Sequence, residues 1–297
     1  MSQLIWNGLF VGSFYSLVAL GYSMVYGIIK LLNFAHGDLY MLGAFGGFAM
    51  LGAMGGLVRS ASIVALFVVL ILTMIATGLS GLVIERVAYR PLRGAPRLSL
   101  LITAVGASFA LEYGTRIVAG PNPRVYPVRL DGTSLNVFGA RITLQQIALM
   151  AVSVALMVAL NLLITRTREG RAMRAISLDP KAAMLMGIDV DKVIARTFFI
   201  GSALAGAAGV MAGGYYGKID FLMGFIIGLK AFTAAVIGGI GNIPGTMLGG
   251  LVLGLLESFG THWVGGEWRD VFAFGFLILF LTVRPTGLLG ERVTERV

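Results

Sequence analysis

Few residues in this chain are able to do chemistry. It has two histidines, His36 and His262, and no cysteine, which excludes thiol catalysis, disulfides and cysteine metal sites. His36 and Asp38 make only two ligands and His262 falls on the opposite side, so no metal site is expected. No two carboxylates share a depth, so no catalytic residue is assigned. A phosphate-binding loop of the Gly-x-x-x-x-Gly-Lys-Ser/Thr kind is missing, since Gly217-Lys218 runs into Ile219. What remains is a set of polar and charged residues in apolar surroundings, where they are costly unless satisfied or functional.

Asn33, His36 and Asp38 follow Lys30 at the end of the first apolar run. They suit either a translocation pathway or gate, or a satisfied turn in which Asp38 caps the next helix and His36 bonds backbone. Glu112 and Arg116, at i and i+4, are expected to pair on one helix face. Lys230 lies in the middle of an apolar run and Glu257 near the outer end of the next. An unpaired lysine there costs about 2.5–3.5 kcal/mol, so it requires a partner or an aqueous cavity. Both residues are pathway candidates, weighed evenly against a helix-fixing role.

These residues have to be positioned by membrane helices. Of the 297 residues, 57% are hydrophobic and 12% charged, with a mean hydropathy of +0.89. A soluble domain carries about 25% charged residues, so a water-soluble enzyme, a disordered chain and a nucleic-acid-binding module are excluded. Runs near 4–29, 39–58, 61–84, 98–118, 143–165, 194–213, 221–241, 243–261 and 270–284 are each apolar enough for a span. The fold expected is an all-α polytopic membrane protein of eight to ten transmembrane helices. The runs 221–241 and 243–261, joined through Gly238–Gly245, are candidates for half-helices or re-entrant segments. The N-terminus has no basic stretch or cleavage site, so no removable signal peptide is expected.

Charge sets the expected orientation. Segment 85–97 carries Arg86, Arg90, Arg93 and Arg97, and segment 166–193 carries Arg166, Arg168, Arg171, Arg174, Lys181 and Lys192. Both should be cytoplasmic. Segments 119–142 (Arg124, Arg129, Arg141, Asp131) and 262–269 then lie outside, with the N-terminus outside and the tail bearing Arg292 and Arg296 inside. Tyr215, Tyr216, Trp263 and Trp268 read as aromatic anchors at the outer surface, and the basic belts as contacts to lipid headgroups. Residues 1–297 are expected to form a single transmembrane domain, with 166–193 as a cytoplasmic loop within it and no room for a nucleotide-binding domain of its own.

Segment 166–193 is the least bland. Asp179-Pro180 suits the cap and first position of a short helix that stops at Gly187, presenting Ala182, Ala183, Leu185 and Met186. It is expected either to dock into a partner as a coupling helix or to lie in the headgroups. Farther on, Gly241, Gly245 and Gly249, with Gly250 and Gly254 slightly offset, suggest a smooth strip for close helix packing. Pro244 is expected to distort that region.

Three segments then carry a resemblance. Asn33-Phe34-Ala35-His36-Gly37-Asp38, Ala182-Ala183-x-x-x-Gly187-Ile188, and Gly238-Gly239-x-Gly241 through Gly249 and Gly250 to Glu257 occur in one order. Together they resemble the permease subunits of bacterial ABC importers, specifically the branched-chain amino-acid permeases of the LivH type. The resemblance implies a second homologous permease subunit and two cytoplasmic ATP-binding subunits docking at Asp179, Ala182, Ala183, Met186 and Gly187. It also implies an external solute-binding protein delivering Leu, Ile or Val, and residence in the bacterial inner membrane. ATP is then bound by the partners, and this chain needs no cofactor and is not an enzyme. Urea and short-amide permeases share these motifs, and an ion-gradient-driven transporter is the reading from another class.

Overall fold

The computed structural model describes residues 1–54, 63–127, 134–137, 139–284 and 286–290. The helices are α1 (Ser2–Ile29), α2 (His36–Ala53), α3 (Ile63–Ile84), α4 (Arg97–Ala119), α5 (Leu144–Arg166), α6 (Arg168–Leu178), α7 (Pro180–Leu185), α8 (Val190–Tyr216), α9 (Met223–Gly238), α10 (Ile243–Val264) and α11 (Arg269–Val283). Every apolar run holds a helix. Among the described residues six segments are long and apolar enough to cross a membrane: Ser2–Ile29, Val64–Leu92, Leu98–Ala119, Leu144–Arg166, Val190–Tyr216 and Ile243–Val264. The helices α2, α9 and α11, of 18, 16 and 15 residues, fall outside that set. Of the two runs suspected of being half-helices, α10 is therefore full length and α9 is short.

The all-α expectation omits two small ribbons. Strand β1 (Arg124–Val125) pairs antiparallel with β4 (Lys218–Ile219), and β2 (Ser134–Val137) with β3 (Ala140–Thr143). The second ribbon sits against the start of α1, where Gln3 Nε2 donates to the Arg141 carbonyl. Thr143 then opens α5 through a reciprocal capping box with Gln146.

Helix α1 is the axis of the molecule. It is apolar on all sides, as a helix surrounded by others must be, and it packs on α8, α9 and α10. The approach to α10 depends on residues without side chains: a Cβ at Gly254 would strike the Gly12 backbone, and one at Gly250 would strike Ser16. On the adjacent face of α10, Gly245 and Gly249 meet Gly238 and Ala234 of α9. The expected strip is thus two half-strips that let α10 wedge between α1 and α9. Gly241 belongs to neither; it precedes α10 with a φ of 93° and donates its N–H to Ser23 Oγ at 2.9 Å. Nor does Pro244 distort the region. It occupies the first turn of α10, where a missing N–H costs nothing, and Asn242 caps that turn by accepting from Gly245 N at 2.9 Å.

Loop contacts sort the helix ends into two groups. Asp191, in the first turn of α8, holds Arg90 at 2.5 Å and also pairs with Arg93, which in turn pairs with Glu85. Tyr89 donates to Asn33 at 2.8 Å, and Leu288 N donates to Ile237 O at 2.7 Å. Opposite lie the N-terminus, both ribbons and segment 262–269, tied by Ser258 to Leu4 O at 2.7 Å and Tyr126 N to Gly217 O at 2.9 Å. This is the grouping that the loop charges require. Positions 55–58 and 61–62 of two expected spans, Arg129, Asp131, Arg292 and Arg296 lie outside the described residues.

Candidate functional site

The polar signature Asn33–Asp38 is placed by a reversal of the chain. Lys30 ends α1 in the left-handed conformation, φ 58° and ψ 30°, its N–H returned to Tyr26 O. The next residues run back along α1, so α2 starts beside Val18, about 16 Å along the helix from Ile29. There His36 Nε2 donates to Val18 O at 3.1 Å and its ring meets Tyr22 edge-on at 4.7 Å. His36, Asp38 and Asn33 are all buried. The backbone bond expected of His36 is present, but the capping role expected of Asp38 is not. Ala35 precedes α2 with no side-chain cap, and Asp38 Oδ2 instead accepts from Ser108 of α4 at 2.5 Å. Its other oxygen has no hydrogen-bond partner, and neither does Oε1 of Glu112.

Glu112 and Arg116 do not form the expected ion pair. The Arg116 guanidinium lies over the rings of Tyr113 and Phe221, at 5.9 and 5.6 Å from their centroids, a contact that suits a partly solvated arginine.

Lys230 and Glu257 do meet. Lys230 Nζ is 3.2 Å from Glu257 Oε1 and 2.6 Å from Asp270 Oδ1, while Arg269 also contacts Glu257. Lys230 and Glu257 are 3% and 1% exposed whereas Asp270 is half exposed, so a neutral network of two cations and two anions reaches from the interior to the surface. Sequence reasoning missed Arg269, Asp270 and Ser108. The available signal was the demand of Lys230 for a carboxylate, which Asp270 at the opening of α11 satisfies together with Glu257. The two clusters share a neighbour in α9: a Cβ at Gly224 would press on Asp38, and Lys230 stands farther along the same helix. Tyr215 and Tyr216 are half-buried and pack on Phe10 and Phe14 instead of facing outward, unlike Trp263 and Trp268, which are exposed.

The third site is the α6–α7 segment, in the group of loops rich in arginine. Thr167 caps α6 by accepting from Gly170 N at 3.1 Å, and Asp179 caps α7 by accepting from Lys181 N and Ala182 N at 2.8 and 3.2 Å. Gly187, φ 81°, closes α7: Ile188 N returns to Ala183 O at 3.1 Å and Gly187 N to Met184 O at 3.0 Å, the Schellman pattern that favours glycine. Asp189 caps α8, and hydrogen bonds from Lys192 hold its carboxyl below the usual range. Ala183 was expected at the surface but is buried, because it faces the body of the protein. Leu185, Met186 and Leu178 are 88%, 82% and 87% exposed. The six-residue helix and the residues flanking it, Leu178 and Met186, thus hold out large apolar side chains.

The family model for the "branched-chain amino acid transport system / permease component" matches residues 4–281. The high-affinity branched-chain amino acid transport system permease protein BraD of Pseudomonas aeruginosa is 45% identical over 303 residues, covering 100% of this chain and 98% of that one. LivH of Escherichia coli, with the same description, is 45% identical over 300 residues, 99% of this chain and 97% of the relative. Among solved structures, PsaBC from Streptococcus pneumoniae in complex with Fab is similar at a TM-score of 0.48 and 13% identity, over 94% of this chain and 91% of that one.

Proposed function

The chain belongs to the family of branched-chain amino acid transport permease components, and from that premise we propose that it is the membrane-spanning subunit of an ABC importer for leucine, isoleucine and valine. The observation that carries this is full-length identity of 45% to permeases of that description. The chain itself is not an enzyme. It pairs with a second permease chain, receives cargo from an external solute-binding protein, and draws work from two ATP-binding subunits on the arginine-rich side. That side is cytoplasmic, so the N-terminus is outside and the C-terminus inside. The helices α2, α9 and α11 complete nine spans with the other six.

The ATPases engage Leu185 and Met186, on the α7 that Asp179, Ala182, Ala183 and Gly187 shape. Helix α7 leads into α8, and Asp191 ties α8 to Arg90 and Arg93 in the segment that continues from α3. A push on α7 therefore moves α8 and α3 together, a rigid-body route to alternating access. Asn33, His36 and Asp38 line one side of the moving pathway, with Lys230 and Glu257 on the other. The test is uptake of labelled leucine into proteoliposomes holding the assembled transporter, with ATP inside and the binding protein outside. Uptake that requires both supports the assignment; uptake indifferent to ATP overturns it in favour of gradient-driven transport.

A further inference from the structure

A cavity of about 430 Å³ opens between α9 and α11 on the side of the N-terminus, within the range of small-ligand sites, about 300–1,000 Å³. Its lining holds the charged Lys218, Asp220, Lys230, Arg269 and Asp270 and the apolar Met223, Ile226 and Ile227. Tyr15, Tyr40 and Tyr216 close it from α1, α2 and α8. Tyr40 is fully buried and its hydroxyl has no hydrogen-bond partner. The Tyr15 and Tyr216 hydroxyls face each other, with Arg269 beside Tyr216, and Glu257 Oε2, in the ion network of Lys230 and Arg269, has no hydrogen-bond partner. Buried polar atoms are rarely left so; the Tyr40 hydroxyl at the cavity, with Glu257 in the adjoining ion network, points to a polar guest.

We propose that this cavity is an amino-acid subsite inside the permease, recognising a zwitterion with an aliphatic side chain. The identity of the guest rests on the branched-chain assignment above. The charges match such a guest: Lys230, Arg269, Glu257 and Asp270 form one neutral network, and Lys218 and Asp220 in the cavity lining add one charge of each sign, so a ligand carrying one charge of each sign exchanges into it without leaving a charge unpaired, whereas a ligand with a single charge does not. The guest's carboxylate replaces Asp270 at Lys230, with the Tyr40 hydroxyl donating to it. Its ammonium takes the half-exposed Asp270 carboxylate that this releases. The side chain lies on Met223, Ile226 and Ile227. The subsite receives cargo as it leaves the binding protein and holds it until the spans reorient.

The experiment is equilibrium binding of labelled L-leucine to the purified permease–ATPase complex without its solute-binding protein, beside ATP-driven uptake with it. Saturable binding is expected, displaced by isoleucine but about tenfold less well by isocaproate or isoamylamine, each of which lacks one charge. Tyr40→Phe, which removes one hydroxyl, should weaken binding about fivefold. Asp270→Asn should weaken leucine binding and abolish its advantage over isocaproate, a readout that a merely structural role would not move. Intact wild-type uptake with no saturable binding, or the same affinity and selectivity in both variants, overturns the subsite and leaves the transport assignment standing. Absence of branched-chain uptake by the wild type overturns both.

Discussion

Lys230 shows how a single buried charge organises its surroundings. It is satisfied by Glu257 on α10 and Asp270 on α11, and the second cation, Arg269, completes the balance. Removing Lys230 leaves the buried Glu257 and the half-exposed Asp270 short of a counter-charge, which costs up to about 3–5 kcal/mol. Lys230→Met should therefore lower the stability of the detergent-purified protein by about that amount, and Lys230→Met/Asp270→Asn should recover part of it; unfolding monitored by tryptophan fluorescence measures both. At this scale the sequence announces the need but not every partner. A lysine within an apolar run must be paired, and Glu257 on the next helix was a visible candidate. Asp270 begins a helix after a tight loop, where a carboxylate looks merely solvated. Glu112 and Arg116 teach the converse: i,i+4 spacing permits a pair, yet two aromatic rings on the same side hold the guanidinium instead.

At the level of elements, glycine spacing decides which helices touch. The Gly250 and Gly254 pair admits α1, and Gly245 and Gly249 admit α9. Gly254→Leu should prevent α10 from reaching α1 and remove folded protein from the membrane, measured as loss of the monodisperse peak on size exclusion in detergent. The periodicity of these residues was legible, but its division between two neighbours was not, since consecutive positions on α10 turn toward different helices by about 100°. The start of α2 was misjudged for a related reason. Apolar run length sets it after Asp38, whereas the reversal at Lys30 brings His36 and Asp38 into the first helical turn, beside α1. The α7 helix, by contrast, was readable almost residue by residue, because Asp179-Pro180 and Gly187 are local signals. Only the facing of Ala183 required the tertiary structure. Asp179→Ala should cost about 1 kcal/mol of local helix stability and reduce coupling, seen as a lower ratio of leucine transported to ATP hydrolysed.

For the whole molecule, the two groups of loops define two sides of the membrane, and the proposed orientation assigns the α6–α7 side to the cytoplasm. Leu178 is 87% exposed in a chain without cysteine, so Leu178→Cys provides a clean reporter. A membrane-impermeant maleimide should label it in inverted vesicles and not in intact cells; labelling of intact cells would reverse the topology. Composition and loop charge made the membrane class and the grouping of loops visible from the sequence. They did not show that α9 and α11 are short, because hydropathy measures apolar runs and not the depth at which a helix begins.

The central claim is that this chain is the permease of an ATP-driven importer engaged through α7, and it is tested most directly by affinity purification from its native membrane. The account predicts recovery of an ATP-hydrolysing subunit and a second permease chain, with the ATPase lost on Met186→Glu while the second permease stays. Recovery of the chain without any ATPase, with leucine uptake intact after ATP depletion, would contradict it.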